Sequence, residues 1–357
     1  MKRLIDILDL SVQELDQLMD VACDIIAQPR KYSHACEGKQ LAALFFEPST
    51  RTRLSFESAM LALGGQVLSV SGAGGSSVSK GESIADTART VSCYADIIAM
   101  RHPQEGAALV AADSVSIPVI NAGDGGHCHP TQTLADLLTI RREMGRFDHL
   151  TVGLCGDLKY GRTVHSLIAA LSRYEGVRFV LISPPELRLP DYVVESMQDA
   201  HIPYEETVSL EGALPKLDIL YMTRIQRERF DDPALYEALK NSYVLDTEKM
   251  ALAKPDMRVL HPLPRVNEIS VQVDSDPRAS YFRQMFNGKM MRMALILKML
   301  SDSGEETPVN NRPVYRHLTC RNPKCISQTE RELQQAFYKV PGRREIYRCV
   351  YCEQQAE

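Results

Sequence analysis

The run Leu41-Ala42-Ala43-Leu44-Phe45-Phe46-Glu47-Pro48-Ser49-Thr50-Arg51-Thr52-Arg53 changes character halfway along. Its first six residues are continuously apolar, as expected for a short strand buried on both faces of a parallel sheet. Glu47-Pro48 ends the run. Phe56, Ala59, Met60 and Leu63 then recur at helical spacing until Gly64-Gly65 stops the helix. A helix N-terminus presents unpaired N–H groups and the positive end of its dipole, so it receives anions. Ser49, Thr50 and Thr52 add hydroxyl donors and Arg51 a guanidinium fork. The stretch reads as a phosphate cradle built without a glycine-rich loop. An ordinary Ser/Thr cap beside a solvated arginine explains the same letters.

Working outward, the strand–turn–helix unit recurs. Residues 2–27 read as a helix, with Leu4, Ile7, Leu8, Leu15, Leu18 and Met19 at three-to-four spacing. Strand-like runs follow at 66–70, 97–100, 115–120, 151–155, 179–182, 219–222, 243–245 and 258–260. Helical patterns cover 131–143, 164–171 and 284–300, and residues 71–83, rich in Gly and Ser, read as a loop. This alternation predicts an α/β protein with two doubly wound parallel-sheet domains. The expected boundaries are 1–130 (completed by the helix at about 284–300), 131–283, a linker at 301–313 and a small C-terminal β module at 314–357.

The composition fits two such domains and a remainder. With 44% hydrophobic and 24% charged among 357 residues, neither disorder nor a fibrous architecture suits it. Net charge is −5; residues 312–357 hold nine basic and five acidic side chains, so this segment is +4 and the rest −9. The whole molecule is therefore not expected to bind nucleic acid or a membrane surface electrostatically. The apolar run at 293–297 stops at Lys298, far short of a membrane span. Lys2-Arg3 resembles the start of an export signal, but Asp6 and Asp9 interrupt any apolar stretch after it, and the expectation is a cytoplasmic protein.

Four of the nine cysteines, Cys320, Cys325, Cys349 and Cys352, fall in the tail as C-x4-C and, after 23 residues, C-x2-C. Four thiolates on two tight turns suit a structural zinc tetrahedron, one per chain, with no open position for catalysis; a disulfide pair is the alternative, disfavoured in a reducing compartment. A nucleic-acid-binding zinc ribbon is a rival for the tail. Four bound thiolates would leave only about +2 of charge, however, and no basic stripe with stacking aromatics is evident. The other five, Cys23, Cys36, Cys93, Cys128 and Cys155, read as small buried thiols.

Pro48-Ser49-Thr50-Arg51-Thr52-Arg53 resembles the signature of the aspartate and ornithine carbamoyltransferases. Further matches follow in order: Lys80-Gly81-Glu82, Met100-Arg101-His102-Pro103, and Asn121-Ala122-Gly123-Asp124 leading to His129-Pro130-Thr131-Gln132. The resemblance covers essentially residues 1–300. It implies that Ser49, Thr50, Arg51, Thr52 and Arg101 hold the phosphate of carbamoyl phosphate. Thr52, Arg101 and His129 would then contact the carbonyl oxygen, and Gln132 the carbamoyl amino group. It also implies a homotrimer, in which Ser76 and Lys80 complete a neighbouring chain's site. Ser76 is placed by counting back from Lys80, and Ser77 and Ser79 are close alternatives. No metal or redox cofactor is implied for catalysis.

The second half bears on the other substrate. A dicarboxylate needs several cationic or amide donors, which would repel the ornithine side chain. Arg162 opens a helix after one strand, and Arg224 and Gln226 follow another, at the edge where α/β sheets bind ligands. His261-Pro262-Leu263-Pro264 resembles the aspartate version of the family, Pro262 standing where the ornithine enzymes have cysteine. The resemblance thus implies Lys80, Arg162, Arg224 and Gln226 as carboxylate ligands of L-aspartate. The backbone carbonyls of Pro262 and Leu263 would orient its amine. A catalytically inactive scaffold is the rival here, and the full complement of these residues argues against it. The tail resembles the zinc domain of the family's regulatory chain, here fused to a catalytic chain without the nucleotide-binding domain that normally precedes it. Docking or assembly is its expected role.

Overall fold

The computed structural model describes residues 1–72, 81–225, 232–302, 313–330, 333–340 and 345–356. The chain divides into two compact units, residues 1–131 with 289–357, and residues 132–288.

The first unit is built on a five-stranded sheet of β1 (Arg3–Leu4), β2 (Gln40–Phe45), β3 (Gln66–Ser71), β4 (Ile97–His102) and β5 (Val119–Asp124), in the order β1-β5-β4-β2-β3 and parallel throughout. Leu41 to Phe45 are all buried, as a central strand with helices on both faces requires. The second unit holds β6 (Thr151–Cys155), β7 (Arg178–Ile182), β8 (Tyr204–Thr207), β9 (Ile219–Met222) and β10 (Arg258–Leu260), again all parallel, in the order β10-β9-β6-β7-β8. The tail contributes an antiparallel sheet of β11 (Val314–Tyr315), β12 (Phe337–Lys339) and β13 (Tyr347–Cys349). It is grouped with the first unit.

Each parallel sheet reverses its winding direction at one point. In the first, β2 is followed in sequence by its neighbour β3 on one side, and β4 lies on the other side. In the second, β6 stands between β7 and β9. Ligands of open α/β sheets bind at the carboxyl ends of the strands beside such a switch point. Those ends are where Ser49, Arg162 and Arg224 follow β2, β6 and β9, and where Arg101 is the last residue but one of β4.

Four sequence readings are corrected. Residues 2–27 are not one helix: Arg3–Leu4 pairs with β5, Ile7–Asp9 is a single 3-10 turn, and the helix begins at Val12. Asp6 and Ser11 each cap the element that follows, and these local bonds compete with a continuous helix. Residues 243–245 form no strand; Leu245 makes one isolated parallel bridge to Ile269. The edge strand β8 escaped notice because Glu205 and Glu206 break its apolar pattern. Among the five scattered cysteines, Cys93 is exposed and Cys23 half-buried; the other three are buried.

Candidate active site and metal centre

Ser49 occupies the N-cap of the helix Thr50–Ala62, directly after β2 and its Glu47-Pro48 turn. Ser11, Ser83 and Ser209, in the same position on other helices, each accept a hydrogen bond from the first turn. The Ser49 side chain makes no such bond. Its hydroxyl is not committed to the helix it starts, and the first-turn N–H groups are left to another acceptor. Thr50 and Arg51 are exposed beside it, whereas Thr52 turns inward and is buried. Thr52 Oγ1 lies 3.4 Å from His129 Nε2, and His129 Nδ1 lies 3.5 Å from Thr131 Oγ1. Both contacts are at the long limit of a hydrogen bond, as catalytic groups often are before substrate tightens them.

Arg101 reaches the same strand ends from β4. The β4–β5 register shifts between Met100 and His102, so Arg101 sits at an irregularity in the ladder. Its Nη2 pairs with Glu47 Oε2 at 2.8 Å. His102 turns the other way, edge-on to Phe46, and burial pushes its imidazole down to about 4. It is a neutral acceptor for the Gln104 N–H at 3.1 Å. Asn121 and Asp124 shape the loop that carries His129. Asn121 Nδ2 bonds the Ile5 carbonyl and Asp124 Oδ1, and its oxygen accepts the Gly123 N–H. Asp124 also accepts the N–H groups of Gly106 and Cys128.

In the second unit, Arg162 is the first residue of the helix Arg162–Leu171, and Arg224 lies two residues beyond β9; both are half-buried. Gln132 is buried, its Nε2 donating to Asp136 at 2.7 Å. Pro262 and Leu263 follow β10. Leu263 holds a left-handed φ of 54°, costly for a branched residue, and its N–H donates to His261 Nδ1 at 2.7 Å. His261 Nε2 meets Glu268 at 2.8 Å, which fixes the ring. Ser76 and Lys80, with Ser77 and Ser79, and Gln226 lie outside the described residues.

Among the described residues, one group of His, Cys and acidic side chains is placed to hold a metal ion: Cys320, Cys325, Cys349 and Cys352, all buried, with sulfurs within 4.8 Å of one another. The Cys320–Cys352 and Cys325–Cys349 separations are 3.6 and 3.8 Å. A tetrahedron with metal–sulfur bonds of about 2.3 Å has edges of about 3.8 Å, so the four donors fit a closed thiolate site. A disulfide needs about 2.05 Å, which no pair approaches. Ser327 Oγ, 3.1 Å from Cys325 Sγ, orients one ligand from outside the cluster.

Three family models match the chain. Residues 2–142 match the aspartate/ornithine carbamoyltransferase carbamoyl-P binding domain, and residues 148–299 the Asp/Orn binding domain of the same enzymes. Residues 312–357 match the metal binding domain of the aspartate carbamoyltransferase regulatory chain. The aspartate carbamoyltransferase catalytic subunit of Lachnoclostridium phytofermentans is 62% identical over 302 residues, 84% of this chain and 98% of the relative. That of Clostridium novyi is 62% identical over 299 residues, with the same coverage. The chain belongs to the aspartate carbamoyltransferase catalytic subunit family.

Solved structures of the family agree. The catalytic subunit of M. jannaschii aspartate transcarbamoylase is 48% identical, with a TM-score of 0.80 over 86% of this chain and all of that one. The Trypanosoma cruzi enzyme in complex with carbamoyl phosphate and aspartate is 39% identical, with a TM-score of 0.78 over 83% of this chain and 96% of that one. The relatives from L. phytofermentans and C. novyi match 84% of this chain, and the regulatory-chain metal binding domain falls in what remains.

In this family member the tail is packed on the first unit. Glu105 joins its backbone to the segment around Cys325, its N–H donating to the Lys324 carbonyl and its carbonyl accepting the Ile326 N–H, both at 2.9 Å. The Glu105 carboxylate accepts the Asn322 amide at 2.6 Å, in a buried contact. Ile326 is fully buried in the first unit's core with Ala107, Ala111 and Met100. Gly106, at φ 89°, lies under Tyr351; a Cβ there would come within 2.6 Å of it. His127 stands 2.9 Å from Asp124 and 3.5 Å from Glu353. The Glu330 carboxylate accepts the Ile84 N–H at 2.9 Å, at the start of the helix Ile84–Ser92.

Several of these residues were missed in the sequence. Glu47 immediately precedes the signature, and a carboxylate two residues before a proposed phosphate cradle was itself a signal. Glu105, Asn322 and Glu353 look like solvated surface residues in sequence and gain meaning only from partners more than 200 positions away.

Proposed function

We propose that the chain transfers the carbamoyl group of carbamoyl phosphate to the amine of L-aspartate, giving N-carbamoyl-L-aspartate and phosphate, with the residues of the family signature in the family's roles. The observation that carries this reading is the meeting, at the first sheet's switch point, of the Thr50–Ala62 helix start with Thr52, His129 and Arg101. Ser49, Thr50, Arg51 and Thr52 cradle the phosphate, and Arg101 joins them once the anion displaces Glu47. As the aspartate nitrogen bonds to the carbonyl carbon, negative charge gathers on the carbonyl oxygen, where Thr52, Arg101 and His129 donate. The carbon–oxygen bond to phosphate then breaks, and the departing phosphate takes the amine proton. Gln132 accepts from the carbamoyl amino group. Arg162, Arg224, Gln226 and Lys80 bind the two carboxylates of aspartate, and the carbonyls of Pro262 and Leu263 orient its amine. The rate comes from orientation and preorganised charge.

The four tail cysteines hold one zinc ion per chain in a purely structural role, and the module braces the first unit. Ser76 and Lys80 act in a neighbouring subunit of a cytoplasmic homotrimer. Carbamoyl aspartate formation, with ornithine as the control acceptor, tests the reaction; transfer to ornithine at a comparable rate would overturn the choice of substrate. Mixing inactive Lys80→Ala and Arg51→Ala chains tests the shared site. Hybrid trimers should regain activity, and persistent inactivity of the mixed species would refute sharing.

A further inference from the structure

Asp136 lies on the helix Pro130–Met144, one turn beyond Gln132, and is fully buried. Three donors converge on its carboxylate. Gln132 Nε2 at 2.7 Å and Gln284 Nε2 at 2.5 Å share one oxygen, and the Tyr221 hydroxyl, at 2.9 Å, takes the other. We propose that Asp136 is a positioning residue for carbamoyl transfer, fixing which way Gln132 faces and where the Pro262–Leu263 backbone lies.

A carboxylate only accepts, so the Gln132 amide must turn its nitrogen toward Asp136 and its oxygen away. A carbamoyl amino group offers only N–H, and Gln132 Oε1 is the acceptor it requires. The two ends of a glutamine amide have nearly the same shape, and without Asp136 the flipped amide would set N–H against N–H. Gln284 is oriented by the same carboxylate. With its nitrogen on Asp136, its oxygen accepts the His261 N–H at 3.0 Å. His261 in turn takes the Leu263 N–H on Nδ1 and bonds Glu268 through Nε2. The chain of bonds thus runs from Asp136 through Gln284 and His261 to the segment whose carbonyls orient the attacking amine. Asp136 is shut off from solvent, so it acts through these neighbours rather than on a reacting atom. The inference rests on the roles of Gln132, Pro262 and Leu263 proposed above.

The test is steady-state kinetics of Asp136→Ala, Asp136→Asn and Gln132→Ala in the full-length protein, with thermal midpoints and inhibition by inorganic phosphate measured alongside. Asp136→Ala should lower kcat about 100-fold, the effect of a misplacement near 1 Å, and raise the KM for aspartate. The phosphate inhibition constant should stay unchanged, because in the proposed function residues 49–52 and 101 hold the phosphate and Gln132 holds only the carbamoyl amino group. Asp136→Asn keeps one acceptor and should recover part of the loss, settling about tenfold below the parent, since neutral hydrogen bonds hold less firmly than charged ones. The Gln132→Ala/Asp136→Ala double variant should have a kcat no lower than the slower single variant. If Asp136→Asn has the parent's kcat and aspartate KM while Gln132→Ala is slow, the inference fails and the catalytic reading stands. If Gln132→Ala is itself as fast as the parent, the role of Gln132 fails and takes the inference with it. A variant that loses thermal stability but keeps its kcat would also overturn positioning.

Discussion

The phosphate end of the first unit and the seam beneath the tail are both polar, a few residues apart in sequence, and built on opposite terms. At the phosphate end the groups are loosely held: Ser49 leaves its helix uncapped, Arg51 is exposed, and Thr52 and His129 approach only to 3.4 Å. At the seam the partners are close. Asn322 meets Glu105 at 2.6 Å, two backbone bonds of 2.9 Å flank that pair, and Ile326 is wholly buried. A ligand can displace long or exchangeable contacts such as Thr52–His129 and the Arg101–Glu47 pair, whereas stripping a buried polar group of its partner at the seam costs stability. Arg101 and Glu105 stand four positions apart on either side of this divide. The seam therefore anchors the segment that carries one of the proposed phosphate ligands.

Metal removal should break the comparison most completely. A module this small cannot fold on its own core, and structural zinc supplies about 10–16 kcal/mol in comparable sites. Chelation should release one metal per chain, melt the tail and expose the amides of Glu105 and Ile326 to hydrogen exchange. Unchanged protection at those amides in metal-free protein would show that the seam does not depend on the cysteine cluster.

Arg51→Ala probes the loose side. Removing one preorganised donor costs about 10²–10³ in kcat, or about 2.7–4 kcal/mol of transition-state stabilisation. Because Arg51 is exposed, the melting temperature should stay within about a degree of the parent. A large loss of stability with little loss of rate would move Arg51 to the structural side.

Asn322→Ala probes the tight side, with the opposite signature. It leaves the buried Glu105 carboxylate short of a donor, at a cost of about 1–3 kcal/mol. Denaturant unfolding should show the loss, and turnover at saturating substrates should barely move. If kcat fell as far as in Arg51→Ala with stability intact, the division between catalytic donors and brace would collapse.

These contrasts also explain what the sequence disclosed. The run from Leu41 to Arg53 announced strand, turn and helix, because burial on two faces and a helix start leave local marks; the four cysteines did the same through their spacing. The order of strands in each sheet, the β4 irregularity at Arg101 and the partners of Glu105 leave no such marks. They arise from pairings between distant segments, and periodicity reports only how one element is buried. Asp136 is the sharpest case. Its one-turn spacing from Gln132 was visible, but its other two donors come from positions 221 and 284. The proposed aspartate ligands stand between these extremes. Arg162 and Arg224 were legible as cations just past strands, and their half-buried positions suit the role, but Gln226 and Lys80 lie outside the described residues.

The smallest expected effect is a pH dependence at the seam. His127 lies between Asp124 and Glu353. Burial works against its charge, but Cys128 and Asp124 outweigh burial and raise the imidazole well above its ordinary 6.5. A raised value means that the folded protein holds the proton more tightly than the unfolded chain. The stabilisation is fully present below about pH 6.5 and is lost as pH climbs through the folded value. Asp124 runs the other way. Burial opposes its charge, but His127 and backbone N–H donors hold it below 3.8, so its contribution is lost only in strong acid. The difference in melting temperature between the parent and His127→Gln should accordingly be flat from about pH 5 to 6.5 and close at alkaline pH. Glu353 is about half exposed, so solvent screens that side and the His127–Glu353 pair itself is worth about 1 kcal/mol at most. A difference that widens as pH rises would mean that neutral His127 holds the seam, and would place this histidine among the acceptors rather than the cations.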